Sequence, residues 1–460
     1  LLNSMKKKIV YFVHCIDTEG PLYESLAAKF QRVKDIFNIN IKASKKNLRK
    51  LKLAKIPLEG KEKKIASVLS SHLTNYNSDW SKINNMILRI FSNKFRNTHK
   101  DSFGKSWVFN WHCLDHVGYK TNPRRRALGY HKIFDYYTKV LKKYKNYKDR
   151  IHWHFHPMST YNEAHRCATS YVNSPELYQI LCRKIIERNY FPSVFRAGFQ
   201  AERPDSNLFL EQWIPFDITN MSTNNNKDLD LSLDFKLGRS GDWRRAPKDW
   251  NIYHPSHDDY QKPGNCRRWI GRALNVKNRI ASINQKEIDK AFMQAEKTGY
   301  ALVGFASHDF RDLEPEVNYL YEMIQKSSKK FKNIKFKFSE AKAAFVDIVK
   351  KKESTKIKPL KLDINFFKET KKDFARIEVK AKQGEVFGPQ PFLAFKTRKN
   401  RFFNDNFDFS KKKNIWNYAF HSDTIPIRDL SAIGVAANDK LGNVHIQRLK
   451  VLSKNKVKKI

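Results

Sequence analysis

The sequence predicts an α/β fold, a (β/α) barrel or a related arrangement. Three observations lead there. Apolar runs of strand length alternate with amphipathic helical segments between Ile9 and Phe310. Some of those helical segments carry start and stop residues at their ends. Carboxylates, imidazoles and a guanidinium gather where the apolar runs finish, as they do at the C-terminal strand ends of parallel barrels.

Taken in order, residues 1–4 precede Met5 and read as an extension ahead of a start site. IVYFVHCI (9–16) is a buried first strand. It is too short for a signal peptide or a membrane span, and it delivers Asp17, Thr18, Glu19 and Gly20. Residues 30–105 are basic and rich in Asn and Ser, with short apolar stripes such as MILRIF (86–91). They predict a largely helical insertion outside the chemistry, used for surface attachment or as a lid. SWVFNWHC (106–113) is again a strand, followed by an Arg-rich loop that runs into a helix. DRIHWHFHP (149–157) is the next strand and its exit. Ser174 and Pro175 open a helix with Leu177, Leu181 and Ile185 on one stripe, ending near Asn189. FPSVFRAGF (191–199) returns to strand. Asn284 caps a helix that Gly299 ends, and YALVGFASHDF (300–310) is the last strong strand. Beyond about residue 350, short strand-like runs with Gly/Asn turns predict a small β-rich extension. The predicted domains are the barrel with its insertion, 5–350, and the extension, 351–460.

The 460 residues suffice for both. A formal net charge of +43, from 89 basic and 46 acidic side chains, attracts phosphate-bearing substrates, acidic lipid or nucleic acid. No zinc finger, RNP signature or recognition helix accompanies it, so specific nucleic-acid binding is not expected. Diffuse lysine runs suit a peripheral contact with an acidic membrane face. Five scattered cysteines without a CxxC pair fit a reducing compartment. No later segment is long and apolar enough to cross a bilayer, so a cytoplasmic location is expected.

HWHFHP (152–157) sets His152, His154 and His156 on one side of a strand. His152 and His156 are also spaced to converge on a metal if the chain turns. Asp17 and Glu19 end the first strand, Arg196 lies in FRAGF, and His308 with Asp309 ends the last. These are the parts of a metal-dependent hydrolase. Imidazoles and a carboxylate surround a divalent ion, a second carboxylate takes a proton from water, and a distant histidine protonates the leaving group. WHCLDH supplies a rival metal pair, His112 and His116.

In the order CIDTEG, IHWHFHP, FRAGF, IPFDITN and GFASH, these motifs resemble the polysaccharide deacetylase superfamily, which shares the NodB-like domain. Its members are distorted (β/α)7-type barrels that remove acetyl groups from sugars. The resemblance covers residues 8–30 and 105–330 and not the insertion or the extension. It implies Asp17 as catalytic base, with Arg196 orienting it. Glu19, His152 and His156 become the ligands of one divalent ion, expected to be Zn2+, and His308 the general acid. Thr18 stands where a second aspartate is usual, so the labels of Asp17 and Glu19 are exchangeable; Gly198 replaces a usual proline. Asp217 matches a motif of the active-site wall loosely. Trp111, His112 and His154 are expected to face substrate, Arg124, Arg125 and Arg126 to meet phosphate, and Trp243 to stack on a sugar ring. The activity implied is hydrolysis of an N-acetyl, or O-acetyl, group of an amino sugar. The substrate is expected to be a glycan precursor, nucleotide- or lipid-linked, in cell-surface polysaccharide synthesis. A non-carbohydrate amidase of the same superfamily and a basic binding protein on a degenerate barrel are the rivals. A long Trp-lined groove favours the first reading, and a small closed pocket favours the amidase.

Overall fold

The structure, a computed structural model, describes residues 8–159, 162–164, 170–224, 241–278, 280–353 and 358–460; the extension at 1–4 lies outside them. Seven parallel strands close into a barrel: β1 (Ile9–Thr18), β2 (Phe109–Cys113), β3 (Arg150–Phe155), β4 (Val194–Ala197), β5 (Phe216–Asn220), β6 (Trp269–Asn275) and β7 (Tyr300–His308). β1 closes the ring by pairing with β7 along its whole length and with β2 over its second half, from His14 to Thr18. Its first half pairs instead with an eighth parallel strand, β8 (Lys335–Phe338).

Six helices fill the segment between β1 and β2: α1 (Leu26–Phe37), α2 (Lys45–Lys52), α3 (Glu62–Val68), α4 (Ser71–Thr74), α5 (Trp80–Ile90) and α6 (Asn93–Thr98). Around the barrel follow α7 (Lys132–Lys143), α8 (Glu176–Arg188), α9 (Pro204–Trp213), α10 (Gln285–Thr298) and α11 (Glu314–Lys330). Most of the signals read from sequence do their work here, but Ser174 does not cap α8, which opens at Pro175 without a side-chain cap while the Ser174 hydroxyl accepts the Met158 amide. Asn284 Oδ1 accepts the amide of Glu287, Gly299 closes α10 in the left-handed region, and Asn189 closes α8 in the same way.

Period-two alternation sorts the strands into two faces. Phe12 and Phe305 stack under α10, whereas Tyr11, Val13, Phe216 and Leu302 face the other way. Into that second set α12 (Ala341–Glu353), which follows β8 almost at once, packs Phe345, Ile348 and Val349. Its first amide, at Ala341, donates to Asn110 Oδ1 at 2.7 Å. The lower barrel is thereby filled largely with apolar side chains, with Asn110, His112 and His152 as buried polar exceptions.

The helical insertion is not peripheral. It has a small core of its own around Phe30, Val33, Leu51, Ile65 and Leu69. Its second half belongs to the barrel, because Ile83, Met86, Ile87 and Ile90 of α5 pack with Phe109, Trp111 and Val317 in one cluster. Arg96 of α6 donates to both oxygens of Asp149, at 3.0 and 2.8 Å, just before β3. Both side chains are buried.

The C-terminal region is β-rich, as expected. It forms two antiparallel sheets: β9 (Lys361–Phe367), β10 (Ala375–Gln383), β13 (Asp408–Phe409) and β14 (Ile415–Phe420) in one, and β11 (Phe392–Thr397), β12 (Phe402–Asp405), β15 (Leu430–Asn438), β16 (Val444–Ser453) and β17 (Lys456–Lys459) in the other. Their facing sides, such as Ile377 with Phe395 and Val435, share a core. The outer face of the second sheet, through Phe392, Ala394, Ala432 and Ala436, packs on α8. Small residues let the helix approach closely: a Cβ at Gly434 would meet Ile185. Among the described residues no helix is long and apolar enough to cross a membrane.

Candidate metal centre at the barrel mouth

β1 ends by turning Asp17 and Glu19 into the barrel mouth, and both are buried. The turn after β1 is held from β7, where Asp309 accepts the amides of Glu19 and Gly20, each at 2.9 Å. Tyr137 of α7 donates to the same carboxylate at 3.0 Å. Burial raises the Asp309 carboxyl to about 7.

Three ligand atoms converge above this turn: Glu19 Oε1, His154 Nε2 and His156 Nε2. The two imidazole nitrogens are 3.0 Å apart, and Glu19 Oε1 lies 3.5 Å from His156 and 3.9 Å from His154. Nitrogen and oxygen donors about 2 Å from a tetrahedral ion are separated by roughly 3.3 Å, so these spacings fit a small divalent cation. His154 is fixed in the tautomer a ligand needs. Its Nδ1 is 2.9 Å from the Arg196 carbonyl, which can only accept, so Nδ1 carries the proton and Nε2 presents its lone pair. Burial lowers the His154 imidazole to about 4, leaving it neutral near pH 7. Glu19 is opposed by burial, but the Arg126 guanidinium and the His156 ring outweigh it and hold the carboxyl well below its usual range. Arg126 donates to Glu19 Oε2, leaving Oε1 for the triad.

Asp17 stands beside the triad. Arg196, fully buried, donates through Nε to Asp17 Oδ1 at 2.7 Å and through Nη1 to the Ile218 carbonyl at 2.8 Å. Against burial, Arg196, His154 and His308 keep the Asp17 carboxyl lowered and ionised. The other oxygen, Oδ2, faces His308 Nε2 at 3.9 Å. Burial, with Arg311 nearby, takes the His308 imidazole down to about 3, so it rests neutral.

His152 is not part of this constellation. Its Nε2 lies 3.1 Å from both Asn110 Oδ1 and Glu340 Oε1, below the triad towards the start of α12. Alternation turns His152 and His154 to the same side but sets them about 6.6 Å apart along the strand. β3 ends at Phe155, so His156 leaves the pleat and can swing back towards His154. The candidate metal set therefore reads Glu19, His154 and His156, with His154 in the place expected of His152.

Other expected wall residues lie elsewhere. Trp111 points outward, stacked on Tyr137 and packed with Phe91 in the helix layer. Asp217 also points outward, into a buried ion-pair group with Arg268 at 2.7 Å and Glu202 close by. Trp243 is buried against Tyr260 and donates to the Gln200 carbonyl at 2.8 Å, bracing the loop after β4 instead of facing a sugar. Arg125 is exposed and lies over the Tyr23 ring. His112 is buried inside the barrel against His152, and His116 is turned to the Glu19 carbonyl at 3.2 Å; the rival pair does not assemble. Arg124 does reach the mouth, where it joins Arg32, Arg126 and Arg311 around a cavity of about 210 Å³.

Tyr137 was not singled out from sequence, and Arg126 and Asp309 were read there without the roles they take here, as a partner of Glu19 and as the clamp on the turn after β1. Asp309 follows the strand-end His308 directly, which is its one local signal. A second cluster, Glu211, His257 and Cys266, lies outside the barrel mouth. There His257 Nδ1 is 2.7 Å from Glu211, and burial pushes the Cys266 thiol up to about 12, which suits a hydrogen-bonded thiol better than a thiolate ligand. Compared with protein-family models and with curated proteins, the chain matches none.

Proposed function

We propose that the chain is a metal-dependent hydrolase that cleaves an acyl–nitrogen bond, in the manner of polysaccharide deacetylases. The observation that carries this reading is the convergence of Glu19, His154 and His156 beside an ionised Asp17 and a neutral His308. A divalent ion held there, zinc being the best match to two imidazoles and a carboxylate, would polarise the carbonyl and make water nucleophilic near pH 7. Asp17, oriented by Arg196, takes the proton from that water through Oδ2. His308 faces the same oxygen, so the proton passes to its imidazole and then to the departing nitrogen. The amine leaves neutral and the acid product keeps the water oxygen.

The small cavity shapes the substrate. About 210 Å³, roofed by the insertion and without Trp111 or Trp243 on its wall, suits a small acylated molecule and not a polysaccharide chain. Our first choice is an N-acetylated amino-sugar precursor. With no Trp-lined groove among the described residues, the same observation supports equally a second reading, hydrolysis of a small non-carbohydrate amide. Metal analysis of the purified full-length chain, paired with acetate release from N-acetylglucosamine and from its phosphorylated and nucleotide-linked forms, tests the proposal. His154→Ala and His156→Ala should each lose the metal, while His152→Ala keeps it. A full equivalent of metal retained in both His154→Ala and His156→Ala would overturn the assignment.

A further inference from the structure

The wall of the cavity is more basic than a metal hydrolase needs. Four guanidinium groups, of Arg32, Arg124, Arg126 and Arg311, line it. Arg126 is committed to Glu19. Arg32, carried in by α1 of the insertion, grips Glu24 with both arms and also donates to the Tyr76 hydroxyl at 2.6 Å. That leaves Arg124 poorly matched. Its Glu24 contact is 3.7 Å, the side chain is only 13% exposed, and its Nε has no hydrogen-bond partner among the described residues. The Nε of Arg311 is likewise buried and without a partner there. Glu316, the buried carboxyl beside Arg311, is held up to about 7 by burial, so it is a weak counter-charge. Burial brings the Arg124 guanidinium down to about 10, with Arg32 and Arg126 acting the same way and Glu24 against them. Unpaired buried charge is costly unless something binds to it.

We propose that Arg124 and Arg311 form an oxyanion subsite next to the Glu19–His154–His156 triad, with Arg32 held beside it by Glu24, and that the substrate carries a phosphate there. Guanidinium forks arriving from two separate chain segments suit a tetrahedral dianion. A carboxylate is satisfied by one fork, as Glu24 is by Arg32. On this reading the insertion is a specificity element, since it supplies Arg32 and roofs the cavity. The acyl part of the substrate rests on the proposed function; the subsite does not.

The test is calorimetric titration of inorganic phosphate, and separately acetate, into the full-length chain. Arg124→Met and Arg311→Met should each weaken phosphate binding tenfold or more. Arg124→Lys, a milder change that guards against misfolding, should fall between. Arg245→Met, at an exposed position paired with Asp259, should match the parent protein. Phosphate binding should survive in His154→Ala, which separates the arginines from any ion in the triad. Binding indifferent to both Arg→Met changes, acetate held as tightly as phosphate, or phosphate binding abolished by His154→Ala would each overturn the subsite. Arginine-dependent phosphate binding in a chain that takes up no metal would keep the subsite and sink the hydrolase reading alone.

Discussion

Gly198 sits against the His156 imidazole, and a Cβ there would overlap the ring carbons. The glycine that stands in place of the usual proline thus makes room for a candidate ligand, and Phe199, in the left-handed region, covers the same ring at 4.8 Å. Gly198→Ala is expected to displace His156 and lower metal affinity by roughly 10–100-fold, the scale seen when support around a ligand is lost. Competition with a chromogenic chelator measures it; unchanged affinity would show that His156 is not a ligand. Much at this scale was legible in the sequence. Asp17, Glu19, Arg196 and His308 stand at strand exits, and the structure gathers them. The histidine run misled because spacing cannot say where a strand ends, and the end of β3 at Phe155 selects His154 with His156. Trp111 was readable against the expectation. Neighbours on a strand face opposite ways, so Trp111 and His112 could not share one wall.

Among elements, the insertion differs most from its reading. Its lysines and asparagines described its solvent face, and the stripe of Ile83, Met86, Ile87 and Ile90 was visible at helical spacing. Nothing local said that the stripe's partner was the barrel. The anchor is the buried pair of Arg96 and Asp149, with the guanidinium 4.5 Å from the centre of the Phe91 ring and 4.3 Å from that of Tyr147. Removing one partner leaves the other charged and buried, which costs about 3–5 kcal/mol. Arg96→Met and Asp149→Asn should each lower stability to urea on that scale, and the double variant should lose less than the two combined. Additive losses would mean that the two side chains are not coupled.

At the scale of the whole molecule, barrel and sandwich share a core along α8, where Ile180 and Ile185 meet Phe392 and Ala436. The two are expected to unfold in one transition, which makes a single free energy of unfolding meaningful. Its pH dependence carries a mark of Glu316. Burial raises that carboxyl from 4.5 to about 7 in the folded chain, with Arg311 acting the other way. Between those two values the folded chain keeps a proton that the unfolded chain has lost. The Glu316 contribution to stability is therefore fully present below about pH 4.5 and is lost as pH rises to 7, by about 3 kcal/mol in all. Glu316→Gln keeps the shape and cannot ionise, so it should equal the parent near pH 4.5 and exceed it by about that amount at pH 8. The difference between the two urea-derived curves cancels the other titrating groups, Asp309 included. Parallel curves across pH 4.5 to 8 would place the Glu316 carboxyl at an ordinary value and remove the weak counter-charge from beside Arg311.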